Sequence, residues 1–366
     1  MEIQVCRPGE LTAADRAAWS SLQAKAHLHG SPQLADPFLA PEFALAVARS
    51  RGGVRIAVFR DGDGEPAAFL PFQRGALGVG QAVGLGLSDC QGVVHRPGFT
   101  WDAAQLLRAC GLSMWEFDHL VAGQPGFGGG VRGAFASPVI DLDQGYEAYL
   151  ARLRERHPSL VRGIRYKERK LGRQVGEVRY VHDERDPAVL RKLMEWKSAQ
   201  YRRTGRSDRF ARRWIVSLVD QLFHSRSGSF AGQLSVLYAG DRPVSAHFGL
   251  RTERVMSCWF PAYDAEFGRY SPGMATFLHL AEASAAEGLS YLDLGRGQKH
   301  YKDSLKTREL TVHEGWVTRP HPVALARRAH RAPLRALRNT VQARPELFGP
   351  ADRLLKRVGA LRAGRG

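Results

Sequence analysis

Apolar and polar positions in the first 145 residues form short periodic runs separated by turn residues, a pattern that predicts mixed strands and helices. Compact apolar runs predict strands at residues 3–6, 114–119 and 137–142. Three- and four-residue spacing predicts helices at 16–26, 42–50 and 101–110. A hairpin stands between them: Arg55 to Phe59, a turn at Asp61-Gly62-Asp63-Gly64, then Pro66 to Phe72.

A second block repeats the plan. Helices are expected at 146–155, 159–171, 187–201 and 209–224, with a strand at 177–182. Another hairpin follows, 234–238 and 243–248, turning at Ala239-Gly240-Asp241, with Pro243 in the place that Pro66 holds in the first. A strand at 255–261 leads to Glu266-Phe267-Gly268-Arg269-Tyr270-Ser271-Pro272-Gly273-Met274. There Ser271 has the character of a helix cap and Pro272 that of a first helical residue. The helix should run over 272–287, with Met274, Phe277, Leu278, Ala281 and Ala285 on one face, until Gly288 stops it. A short strand at 289–294 then ends in Gly295 and Gly297. The economical reading is an α/β (α+β) chain of two tandem lobes with mixed sheets, two copies of one unit with the first decayed. The divisions are 1–145, 146–318 and a basic helical tail, 319–366.

Length and composition fit this plan. At 366 residues the chain suits two domains, and a hydrophobic fraction of 44% lets each bury a core. No apolar run nears the ~20 residues that span a bilayer. The first residues lack the basic and apolar regions of a leader, so the expected location is the cytoplasm or the cytoplasmic face of the inner membrane. Cys6, Cys90, Cys110 and Cys258 are scattered as reduced thiols would be, and no His spacing fits a metal.

Charge is uneven. Residues 1–145 carry 11 basic against 14 acidic side chains, residues 146–318 carry 30 against 20, and the tail 12 against 2. The second lobe and tail should therefore attract anions: a phosphorylated cofactor, a nucleic acid or an acidic membrane surface. In the tail, Leu334, Leu337 and Val341 recur at helical spacing among arginines, a pattern suited to an anionic membrane or to packing on the second lobe.

The strand, glycine-containing loop and capped helix at 255–287 form a ready anion site, with free N–H groups at the helix start and charge from Arg269. Arg269, Tyr270, Ser271, Pro272, Gly273 and Met274 are the expected cofactor-binding residues. The order hairpin, strand, phosphate loop, helix, strand, tyrosine is the skeleton of a GNAT acyltransferase. The string Tyr270-Ser271-Pro272-Gly273, then Tyr291-Leu292-Asp293-Leu294-Gly295-Arg296-Gly297, then Tyr301-Lys302, resembles the GNAT enzymes of the CelD/BcsL type, associated with cellulose and exopolysaccharide biosynthesis. These are related to Fem-type peptidyltransferases, which carry two GNAT-like lobes. Residues 37–43 and 87–92 also resemble segments of that family, so the likeness extends over roughly 35–310. An unambiguous [R/Q]-x-x-G-x-[G/A] loop is absent.

The resemblance implies transfer of an acyl group, foremost acetyl from acetyl-CoA, to an amine or hydroxyl of a small-molecule or saccharide acceptor. No metal is implied. His247 is the first choice of general base, because imidazole titrates near neutrality, and a hydrogen-bonded sheet histidine is its plain alternative. Asp293 is the second candidate, or it orients Lys302. Tyr301 stands where such enzymes protonate the leaving thiolate, and Lys302 matches a lysine that contacts substrate in the Fem type. Trp259 and Tyr263 are expected either to wall the acceptor cleft or to belong to the core, and Asp89 is expected to reach the cleft from the first lobe. Two rivals stay open. One uses aminoacyl-tRNA as donor, held by the nine basic residues of 152–173; the other is a non-catalytic accessory of a polysaccharide synthase.

Overall fold

The computed structural model describes residues 1–320 except Gln298. Beyond Pro320 the tail expected to be helical lies outside the described residues. In chain order the first half contains β1 (Glu2–Cys6), α1 (Ala13–Lys25), α2 (Pro41–Ser50), β2 (Val54–Arg60), β3 (Pro66–Arg74), β4 (Val79–Gln81), β5 (Val94–His95), α3 (Ala103–Ala109), β6 (Met114–Val121) and β7 (Val131–Asp141). The second contains α4 (Gly145–Arg156), α5 (Leu160–Gln174), β8 (Val178–Val181), α6 (Pro187–Arg203), α7 (Arg213–Phe223), β9 (Ala231–Ala239), β10 (Arg242–Arg251), β11 (Val255–Tyr263), α8 (Pro272–Ala286), β12 (Tyr291–Asp293), α9 (His300–Leu305) and β13 (Arg308–Thr318).

All the strands join one sheet, in the order β1-β2-β3-β4-β6-β13-β7-β12-β11-β10-β9-β8, with β5 beside β3. Read from its two ends, the order is the same motif twice. From one end β1-β2-β3-β4-β6 meets β13; from the other β8-β9-β10-β11-β12 meets β7. The last strand of each half therefore stands next to the body of the other half. β13 pairs with β6, and β7 pairs with β12. The sheet thus crosses the sequence boundary drawn near residue 145.

Local chemistry explains most element ends. Thr12 caps α1 by accepting the Asp15 N–H, and Asp186 caps α6 ahead of Pro187. α7 begins at Arg213, four residues later than expected, because Asp208 caps a separate short turn over Arg209–Ala211. A shared core binds the halves: Phe38 and Phe43 of the first lobe meet Trp259 of β11 edge to face, at 5.4 and 6.1 Å. On the other face α4, α5 and α8 cover the second half of the sheet with Leu153, Leu171 and Leu278. Among the described residues no helix is long and apolar enough to cross a membrane.

Candidate active site

β11 and β12 run parallel but stay paired over three residues, Val255 to Ser257 against Tyr291 to Asp293. β11 continues to Tyr263, held by β10 on its other side. Past Ser257 the two strands part, so residues 258–263 present an unpaired edge to a gap. The first lobe holds the matching parallel pair, Val79 to Gln81 against Met114 to Glu116. There the gap is filled by the chain itself: Gln91 N–H donates to the His119 carbonyl, and its own carbonyl accepts from Val121. The Gln91 side chain completes the plug, bonding Asp118 at 2.6 Å. The open gap belongs to the second lobe.

The helices after the two gaps differ in the same sense. α3 begins behind Asp102, whose carboxylate accepts the Gln105 N–H at 2.7 Å and would repel an anion. α8 begins behind Ser271, in left-handed conformation (φ 52°), whose side chain makes no capping bond. The expectation that Ser271 caps the helix is thus corrected. Its hydroxyl instead accepts from Lys167 of α5 at 3.0 Å. The Gly273 N–H has no partner among the described residues, and a Cβ there would meet Tyr263 at an ordinary 3.6 Å. Helix start, free N–H and Lys167 fit a pyrophosphate. Arg269 is held nearby, donating to the Tyr270 hydroxyl at 2.7 Å with its guanidinium over that ring. Tyr270 itself is buried, Pro272 opens α8, and Met274 packs on the core beneath it. Tyr263 is exposed and stands beside the α8 turn.

His247 lies on β10 opposite Pro261, under Phe277 of α8 at 5.6 Å. It is 1% exposed, and neither ring nitrogen has a hydrogen-bond partner among the described residues. Burial, with the charges of His182 and Lys197, pushes its pKa down to about 3. Such an imidazole is shut off from solvent and, at that pKa, too weak a base to take a proton efficiently near neutrality, which speaks against it as general base.

Asp293 is also buried and committed, accepting from the Ser137 hydroxyl at 2.8 Å and the Gly295 N–H at 2.7 Å. Burial raises its pKa. It does not hold Lys302, as had been expected; Lys302 Nζ donates to the Gly295 carbonyl at 2.6 Å and the Arg296 carbonyl at 3.3 Å. Asp89 crosses from the first lobe to this point. Gly295 takes a left-handed conformation (φ 75°) that favours glycine, and a Cβ there would stand 2.8 Å from Asp89 Oδ2. Tyr301 stacks on Phe277 at 5.5 Å, and burial raises its pKa, so its hydroxyl stays protonated. Trp259 is buried and donates to the Leu87 carbonyl at 3.0 Å, which fastens the first-lobe loop 82–92 beside the gap.

Three groups had escaped sequence reasoning. Asp36, in the first lobe, is bonded to the Ser257 hydroxyl at 2.6 Å; burial and the Asp293 charge push its pKa up to about 8. Lys299 is pushed down to about 8 by burial and by Lys302 and Arg206. Lys197 of α6 is 5% exposed, donates to the Pro261 carbonyl at 2.7 Å, and is pushed down to about 7 by burial and four neighbouring cations. A signal for Lys197 exists: it stands three and four residues after Met194 and Leu193, in phase with the apolar stripe of α6.

Residues 158–303 match the family model described as an acetyltransferase (GNAT) domain. Among solved structures, the chain resembles FemX with a TM-score of 0.57 and 12% identity, covering 86% of this chain and 96% of that one. A conserved protein of unknown function from Bacteroides thetaiotaomicron gives 0.55 and 12%, covering 87% and 100%. The C-terminal domain of a protein described as a lysylphosphatidylglycerol synthetase, from Agrobacterium fabrum, gives 0.51 and 14%, covering 85% and 95%. No curated protein matches the sequence. Residues 158–303 are thus similar to a GNAT acetyltransferase domain, and the chain as a whole shares the fold of these structures.

Proposed function

We propose that this protein transfers an acyl group from an acyl-coenzyme A thioester to an amine or hydroxyl acceptor, in the groove between its lobes. The observation that carries this reading is the parting of β11 from β12 past Ser257, directly before a helix start with a free N–H and a lysine. The thioester supplies the activated acyl carbon. Gly273 N–H and Lys167 bind the pyrophosphate, the open edge of 258–263 orients the pantetheine arm, and protonated Tyr301 gives its proton to the departing thiolate. Lys302, tied to two carbonyls, fixes the chain after β12 and turns positive charge toward the groove. Asp89 meets the acceptor from the first lobe. The resemblance to the CelD/BcsL type points to a saccharide acceptor in exopolysaccharide synthesis.

One observation favours a second reading, with aminoacyl-tRNA as donor. Arg162, Arg169 and Arg173 share one exposed face of α5 and could follow a nucleic-acid backbone, while Lys167, on another face, meets the α8 turn. A thermal-shift series separates the readings, because a ligand of the folded state raises the melting temperature. A rise with acetyl-CoA or a longer acyl-CoA supports the first. A rise with bulk tRNA alone supports the second. No response to either favours an accessory protein without this chemistry.

A further inference from the structure

We propose that Lys197 is the group that takes the proton from the acceptor nucleophile, standing at the open end of the gap between β11 and β12. This rests on the acyl-transfer reading above. The geometry starts from the β10–β11 ladder. Asp264 N–H bonds the Val244 carbonyl of β10, and Ala262 opposes Ala246 two residues along each strand. Bonding groups alternate sides along an antiparallel strand, so Pro261, between these positions, turns its carbonyl away from β10 and into the gap. Pro261 has no N–H to leave unpaired there. Lys197 Nζ, 2.7 Å from that carbonyl, therefore stands at the gap itself.

The surroundings favour a neutral amine. An ammonium offers three donors, yet the Pro261 carbonyl is the sole hydrogen-bond partner of Nζ among the described residues. The Tyr201 ring lies 5.6 Å away. The charged groups facing Lys197 are Lys299 and Lys302 from the α9 side, and Arg206 and Arg209 after α6; neutral His247 adds none. A neutral amine has two N–H donors instead of three, one of them taken by Pro261, and keeps a lone pair that can accept a proton. The other candidates are occupied: His247 is enclosed, Asp293 is bonded twice, Lys302 holds two carbonyls, and Tyr301 retains its proton.

In the step, the acceptor nitrogen or oxygen bonds to the acyl carbon and its proton passes to Lys197 Nζ. The carbon–sulfur bond breaks, and the thiolate takes the Tyr301 proton. Lys197 returns its proton through solvent to Tyr301, so both side chains end as they began and the thiol is released.

The test is trace labelling of the full chain with acetic anhydride across pH, read by mass spectrometry. Lys197 should react half-maximally near pH 7, where ordinary lysines are protonated, and saturating acetyl-CoA should slow it about tenfold or more by filling the gap. With glucosamine as probe acceptor, thiol release from acetyl-CoA should show an acid limb near pH 7, which K197M loses together with roughly 100-fold in rate. Lys197 that never labels, or labels only near pH 10, overturns the proposal. So does K197M that keeps both limb and rate. Acetyl-CoA that raises the melting temperature yet leaves Lys197 labelling unchanged removes this role while sparing the acyl-transfer reading. No melting response to any acyl-CoA sinks both.

Discussion

Lys167 of α5 donates to the hydroxyl of Ser271 at 3.0 Å, tying the basic helix to the residue in front of α8. The bond draws the hydroxyl away from the helix start and brings a cation to it. Lys167→Glu should therefore weaken acyl-CoA binding about tenfold, or ~1.4 kcal/mol, with the fold intact. Calorimetric titration reads the change. The wild-type affinity should also fall with added salt more steeply than that of the variant.

His247 predicts an acid sensitivity. Its folded pKa, about 3, lies below the ordinary histidine value, so the unfolded chain binds more protons between those two limits. Stability is then lost as pH falls from about 6.5 to about 3. His247→Leu removes this slope and two unpartnered nitrogens, and should move the acid-unfolding midpoint downward. Acid titration by circular dichroism checks it. Acyl transfer by the variant should stay within a few-fold of wild type, whereas loss of a general base would cost about 10²–10⁴-fold.

Much of this architecture was legible in the chain. Both hairpins, the Ser271–Gly273 turn and the body of α8 lie where local pattern put them, because each depends on neighbours within a few residues. The exchange of β7 and β13 was not legible, since it depends on pairings such as Arg308 with Val139, far apart in sequence. α9 escaped because six residues carry too little periodicity. His247 misled because its polarity is visible and its burial is not. Lys197 was hidden by the opposite error: a lysine in an apolar stripe reads as a solvated face unless its phase with Leu193 and Met194 is counted.

Asp36 predicts a slope of the opposite sign. Its folded pKa of about 8 lies above the ordinary carboxylate value, so the folded chain holds the extra proton between those limits. Stability contributed by this group is lost as pH rises from about 4 through about 8. Asp36→Asn keeps the shape and the bond to Ser257 and should flatten this slope. The denaturant midpoint at pH 9, taken relative to that at pH 5, should then be higher in the variant than in the wild type.

Lys197 acts in a third window. Its folded pKa of about 7 lies below that of a free lysine, so stability rises with pH between about 7 and 10.5, at no more than ~1.4 kcal/mol per pH unit. Lys197→Met fills the apolar stripe of α6 without a charge. It should melt higher than wild type at pH 7, and the difference should shrink toward pH 10. A variant that melts lower throughout would mean that the bond to Pro261 outweighs the cost of burial.

The central claim is that the α8 start and the open edge of β11 hold an acyl-coenzyme A. Isothermal titration with acetyl-CoA, comparing wild type with Gly273→Glu, tests it most directly. A side chain fits at residue 273 at ordinary contact distance, so the variant should fold, while its carboxylate meets the anion at the helix start. The account predicts saturable one-to-one binding by wild type and none by the folded variant. Equal affinity in both proteins, or no binding by wild type, would contradict it.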